Sequence, residues 1–173
     1  MKQASTGRIV ILCCLLSLAA CAGPPPFAPA VAPLYFKTHM IVIEPEQRWQ
    51  ATVDWRASDA DDGLARLAHI ATGRIVELRW QAERTWLRDN QAESTSWRRI
   101  QAKQLMLHGI SALPSDIMLF LDGKTPPGFV REQADKWRGK RFGRQLSISW
   151  DAGKRRLSLH DVDGDRRVMF GRL

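Results

Sequence analysis

Trp49-Gln50-Ala51-Thr52-Val53-Asp54-Trp55-Arg56 alternates apolar and polar side chains without interruption. A period of two over this length is the pattern of a β-strand with one face buried and one face wet. The pattern continues on both sides. Before it, Met40-Ile41-Val42-Ile43 is a short β-rich run ended by Glu44-Pro45. After it, Ser58-Asp59-Ala60-Asp61-Asp62-Gly63 reads as a turn, with Asp62-Gly63 a common hairpin pair. Leu64 to Ile70 is a third strand, turned by Thr72-Gly73. Val76, Leu78 and Trp80 alternate with Glu77 and Arg79, and Arg84-Thr85-Trp86-Leu87-Arg88 forms a fifth strand. Residues 40–88 therefore predict an antiparallel meander.

The period then changes. Ser94-Thr95-Ser96 can cap a helix from Trp97 to about His108, with Gly109 as its stop. A second, shorter helix starts at Pro114, presents Ile117, Phe120 and Leu121 on one face, and ends at Gly123. Thr125-Pro126-Pro127-Gly128 is a loop, and 128–143 is polar and mixed, with no assignable period. Strand signals return at 146–150, 156–160 and 167–170, with turns at Asp151-Ala152-Gly153 and Asp163-Gly164-Asp165. The expected class is α+β, mainly antiparallel β: a curved sheet or unclosed β-barrel with a short helical lid inserted between two β-meanders.

Such a sheet has an apolar inner face, here Trp49/Ala51/Val53/Trp55, Val76/Leu78/Trp80 and Leu146/Ile148/Trp150. Two readings of that face stand side by side. It is the dry core of a small β domain, or it borders an apolar cavity between sheet and helices. Several Trp on one side of a sheet carry more volume than a small core readily interdigitates. The trough candidates are Trp55, Val76, Leu78, Trp80, Ile117, Phe120, Leu121, Ile148 and Trp150.

Composition narrows the function. The formal charge is +8, with arginines scattered singly or in pairs and no recognisable nucleic-acid motif. A solvated basic surface, or one attracted to anionic lipid head groups, is expected, and no nucleic-acid partner. The four histidines show no metal-ligand spacing, and no serine sits in a Gly-x-Ser-x-Gly context. Asp161-Val162-Asp163-Gly164-Asp165 lacks the EF-hand order, since its Gly is fourth and the twelfth residue is Arg172. A hairpin turn is the reading there. Neither catalytic residues, metal ligands nor a cofactor are assigned, and a non-enzyme is expected.

At the N-terminus, Lys2 and Arg8 precede the apolar run Ile9 to Leu18, too short for a bilayer that needs ~20 residues. Leu18-Ala19-Ala20-Cys21 resembles the lipobox of bacterial lipoproteins. The resemblance implies acylation of Cys21, cleavage before it and, with Ala22 following, export to the outer membrane. Residues 1–20 are then a signal peptide whose loss removes Lys2 and Arg8 and leaves +6. Residues 21–38 are the lipidated cysteine with a Pro-rich tether, and 39–173 the domain. Multiple acyl chains suffice for stable anchoring where one does not. With Cys13 and Cys14 in the signal peptide and Cys21 lipidated, the domain has no free cysteine.

Leu105, Gly109, Leu113-Pro114, Met118, Phe120-Leu121, Gly123 and Pro126, in this order between two groups of strands, resemble the helical signature of the LolB family of outer-membrane lipoprotein receptors. The resemblance implies an unclosed barrel that takes lipoproteins by their acyl chains from a periplasmic carrier and places them in the outer membrane, as a monomer. The family's exposed leucine loop has Ala68-His69-Ile70-Ala71-Thr72-Gly73 as its nearest stretch here, with Ile70 as the membrane-insertion candidate. A relative with the same scaffold and another lipidic ligand fits as well. The other class of function is a structural or assembly lipoprotein of the envelope, with a dry core and a partner bound on its surface.

Overall fold

The computed structural model describes residues 34–171 apart from 109, 152 and 154. The expected signal peptide, Cys21, the tether as far as Pro33 and the helix stop at Gly109 lie outside the described residues. Six strands come first: β1 (Leu34–Ile43), β2 (Arg48–Ala57), β3 (Asp62–His69), β4 (Ile75–Gln81), β5 (Arg84–Asp89) and β6 (Arg98–Ile100). A 3-10 helix, Ala102–His108, and an α-helix, α1 (Pro114–Leu121), follow. Five more strands close the chain: β7 (Phe129–Gln133), β8 (Lys136–Arg141), β9 (Arg144–Trp150), β10 (Arg156–Asp161) and β11 (Arg166–Gly171).

All eleven form one antiparallel sheet in the order β6-β5-β4-β3-β2-β1-β11-β10-β9-β8-β7. Each meander pairs with its sequence neighbours, and β1 joins them by pairing with β11, Met40 opposite Phe170 and Val42 opposite Val168. The edges are β6 and β7, which do not pair with each other, so the barrel stays unclosed. The chain between those two edges carries both helical segments across the concave face. This is the expected α+β class, a curved antiparallel sheet with a short helical lid between two meanders.

Alternation sets the faces. Met40, Val42, Ala51, Val53, Trp55, Ala65, Leu78, Trp80, Leu87, Leu146, Ile148, Leu157 and Leu159 are buried beneath the lid. The opposite face is charged, with Glu77 held between Arg66 and Arg88 on neighbouring strands. Two cross-strand pairs put an aromatic ring over a glycine. Trp80 lies opposite Gly63, and a Cβ there would come within 2.2 Å of the ring. Phe129 lies opposite Gly139, with 2.4 Å left for a Cβ. Glycine at 63 and 139 therefore lets two large rings lie flat on the sheet.

Three local outcomes differ from the sequence reading. The helix expected from Trp97 to His108 is instead the strand β6 followed by the 3-10 helix. Ile100, buried and opposite Thr85, extends the ladder of β5, and the loose apolar spacing of 97–108 offers no competing helical face. The unassigned stretch 128–143 holds the hairpin β7–β8. Its alternation is hidden because the inward positions of β8 include Gly139 beside Trp137, while the outward ones are charged. Lastly, β1 begins at Leu34, ahead of the expected domain start at 39, and pairs with β2 from there on, Leu34 opposite Ala57.

Candidate functional site

The lid is a two-turn helix fastened at three points. Pro114 fits its first turn, where a missing N–H costs nothing. The Asp116 carboxylate accepts the Leu113 N–H at 3.3 Å and takes a two-pronged contact from Arg141 of β8 at 2.6 and 2.7 Å. Asp116 is buried, and its hydrogen bonds hold the Arg141 guanidinium above its ordinary pKa. Trp55 of β2 donates its indole N–H to the Met118 sulfur at 2.9 Å. Trp150 of β9 donates to the Phe120 carbonyl at 3.1 Å, a second donor beside the Gly123 N–H that this carbonyl at the helix end already accepts at 3.0 Å. Phe120 itself is fully buried, edge-on to Phe129 at 5.1 Å and tilted against Trp137 at 5.3 Å.

Beneath the lid the middle of the trough is full. Trp55 and Trp80 pack with centroids 5.0 Å apart, and Trp80 donates its N–H to the Ala60 carbonyl at 3.1 Å. Leu78, Ile117, Phe120 and Ile148 are all buried around them. Among the described residues, space opens towards the two ends.

At the end where β1 starts is a cavity of about 560 Å3. Leu34, Phe36, Leu121, Trp137, Trp150 and Phe170 give it apolar walls, with Lys37, Arg131, Asp122 and Asp135 around its mouth. Arg131 lies over the Trp137 ring at 5.2 Å and donates to the Ala134 carbonyl at 3.1 Å. At the other end, where β2 starts, is a cavity of about 380 Å3. Trp49, Ala51, Leu67, Val76 and Ile110 form its floor, and its rim is polar. Glu44 pairs with Arg166 at 2.5 Å, Arg74 clasps the buried Asp89, and His69 stands beside the Trp49 ring with centroids 5.6 Å apart. Hydrogen bonds donated to Asp89 raise the Arg74 pKa.

The residues nominated from sequence thus divide three ways. Trp55, Leu78, Trp80, Ile117, Phe120 and Ile148 make the packed middle. Leu121 and Trp150 wall the larger cavity, and Val76 lies in the floor of the smaller. Ile70 is 56% exposed at the β3–β4 turn beside the smaller cavity, its N–H bound to the Gln50 carbonyl at 3.0 Å. Asp161 accepts from Arg144 at 2.8 Å and from the Gly164 N–H at 3.0 Å, as befits a hairpin turn. Sequence reasoning passed over Trp137 and Arg131, which fall in the unassigned stretch, and Leu34 and Phe36, counted with the tether. The alternation of Leu34 and Phe36 with Tyr35 and Lys37 was the available signal.

The fold and site define a class: an unclosed antiparallel barrel with a latched helical lid, packed at its waist and open at both ends. No protein-family model matches the chain, and no curated protein matches it. Among solved structures, it is similar to the crystal structure of a LolA superfamily protein from Nitrosomonas europaea. The identity is 6%, the TM-score 0.45, and the match covers 79% of this chain and 83% of that one. The architecture stated above rests on the sheet itself and not on that likeness.

Proposed function

We propose that this protein is a lipoprotein anchored to the periplasmic face of the outer membrane through acylated Cys21, and that its trough accepts acyl chains. In this reading it acts as LolB-family receptors do, taking lipoproteins from a periplasmic carrier and passing them to the membrane, without catalysis. The observation that carries the reading is the cavity of about 560 Å3 walled by Leu34, Phe36, Leu121, Trp137, Trp150 and Phe170. It falls within the ~300–1,000 Å3 of small-molecule sites and has the apolar lining with few polar groups that such sites show. Lys37 and Arg131 stand at the mouth beside Asp122 and Asp135, a polar rim of balanced charge outside the apolar walls. Ile70, exposed on its turn, is the residue that would enter the membrane when cargo is delivered.

The test is titration of the protein with a fluorescent fatty acid, read by energy transfer from Trp150 and Trp137. Saturable binding with one site supports the acyl reading. Its absence hands the protein to the structural class, an envelope lipoprotein that binds a partner on its surface. The anchor is tested separately: Cys21→Ser should abolish incorporation of a labelled fatty acid in cells, and equal label in both proteins would sink it.

A further inference from the structure

We infer that the open edge of β6 is a docking site for an extended, acidic segment of a partner protein, which adds to the sheet as one further strand. Two observations meet at this edge. The first is the backbone. β6 is the last strand on its side of the sheet and pairs with β5, and among the described residues no backbone hydrogen bond reaches the outer side of Arg98–Ile100. Such a row of N–H and C=O groups is a template for another strand. The second is charge. Arg84, Arg98, Arg99 and Lys103 are exposed, and among the described residues none of these side chains has an ion-pair or hydrogen-bond partner. Other arginines of the sheet are tied, Arg56 to Asp54, Arg144 to Asp161 and Arg166 to Glu44. A cluster of one sign without counter-charges attracts its opposite and repels its own kind.

The opposite edge shows how this protein blunts a strand that is not to be paired. β7 carries both signs, its Glu132 meets Arg138 of β8 at 3.2 Å, and a bulge shifts its register between Arg131 and Gln133. These are ordinary devices against edge pairing. β6 has no bulge, and its three residues continue the ladder of β5 in regular register. Its charge rejects a second copy of β6, because Arg98 and Arg99 would face themselves, and admits an acidic chain. Register describes that chain further. Arg99 lies opposite Trp86 and shares the outer face with Arg84 and Arg88, whereas Ile100 and Arg98 lie opposite Thr85 and Leu87 on the inner face. Arg88 is already matched by Glu77, so Arg84 and Arg99 carry the outer charge. An incoming strand places acidic side chains towards them at every second position and apolar ones beside Ile100, which is buried. The partner segment therefore alternates acidic and apolar residues. Nothing in this depends on acyl binding in the trough.

The experiment uses the full-length protein in phosphatidylcholine nanodiscs, with empty discs subtracted, and a short fluorescent peptide of alternating glutamate and valine, read by anisotropy. Saturable binding is expected, with hydrogen-exchange protection gained at Arg98–Ile100. The same peptide N-methylated along its pairing side keeps its charge and loses the ladder, and should bind ~10-fold more weakly or worse. This comparison needs only the wild-type protein. Arg98→Glu combined with Arg99→Glu, both at exposed positions, should weaken binding by ~10-fold or more at low salt with thermal unfolding unchanged. Equal binding of the methylated peptide would reduce the site to charge attraction and overturn the strand addition. No binding, or equal binding by the charge-reversed protein, would overturn the docking itself. Phosphatidylglycerol vesicles supply the remaining outcome. If the wild type floats with them, the charge-reversed protein does not and the peptide fails to bind, the patch is a membrane contact and the inference fails.

Discussion

The two openings of the trough share the same curved sheet but differ in what closes them. At the β2-start end the rim is tied by charge, Glu44 to Arg166 and Arg74 to Asp89. At the β1-start end the walls are aromatic, and the ties include the Trp150 N–H to the lid, the Trp137 N–H to the Thr125 hydroxyl and the Arg131 contact with Trp137. Between them lies a waist in which every indole is buried and its N–H is used inside the protein. The difference teaches that a tryptophan on the inner face has no fixed role: its position along the strand sets it. Trp55 and Trp80 lie where the lid presses on the sheet and serve packing, whereas Trp49 and Trp150 lie half-buried at the openings, where one edge of the ring stays available.

Four substitutions test this contrast. The largest effect is expected at the waist. Trp80→Ala removes a ring that is 1% exposed and should cost ~3–5 kcal/mol in urea unfolding, the range for deleting a buried aromatic. A loss below ~1 kcal/mol would mean that the waist is not a packed core. Next is the lid latch. Asp116→Ala leaves Arg141, among the described residues, with the Pro127 carbonyl as its acceptor, and should destabilise by about 2–3 kcal/mol, the scale of an orphaned charge that retains some access to water. Faster hydrogen exchange over 110–122 than over β2 would show that the lid, and not the sheet, had loosened.

At the larger opening the effect on stability should be small and the effect on ligand large. Trp150→Phe keeps a ring but removes the donor to the Phe120 carbonyl, costing ~1 kcal/mol by thermal unfolding. Fatty-acid affinity, measured in the same sample, should shift by more than that loss can explain. The smallest stability effect belongs to Ile70→Ser, within ~0.5 kcal/mol because the side chain is exposed. Its readout is vesicle flotation, where the variant should bind phospholipid vesicles less than the wild type. Equal flotation removes Ile70 from the membrane contact.

Much of the architecture was legible because period two is a local signal. Trp49 to Trp55, Val76 to Trp80 and Leu146 to Trp150 each declare which side is buried without reference to any other part of the chain. The short helix was equally local, marked by Pro114 at its start and Gly123 just beyond its end. Where reading failed, the deciding contact was distant. Ile100 joins a strand because the edge of β5 offers hydrogen bonds, and nothing within 97–108 encodes that offer. Trp137 stands on the inner face because Phe129 covers Gly139 beside it, a relation between two strands rather than within one.

Eight of the eleven strands with their buried faces, the short helix and the order of meander, lid and meander were legible in the sequence; β6, β7 and β8 were not. The legible elements follow from periodicity and turn chemistry, which act over a few residues. Only the tertiary structure decided that β1 pairs with β11, that the lid is held by Asp116–Arg141, Trp55–Met118 and Trp150–Phe120, and that the inner face is packed at its waist and hollow at its ends. The physical reason is that alternation says which side of a strand faces inward, whereas whether the inward space is full depends on volumes contributed by residues far apart in the chain.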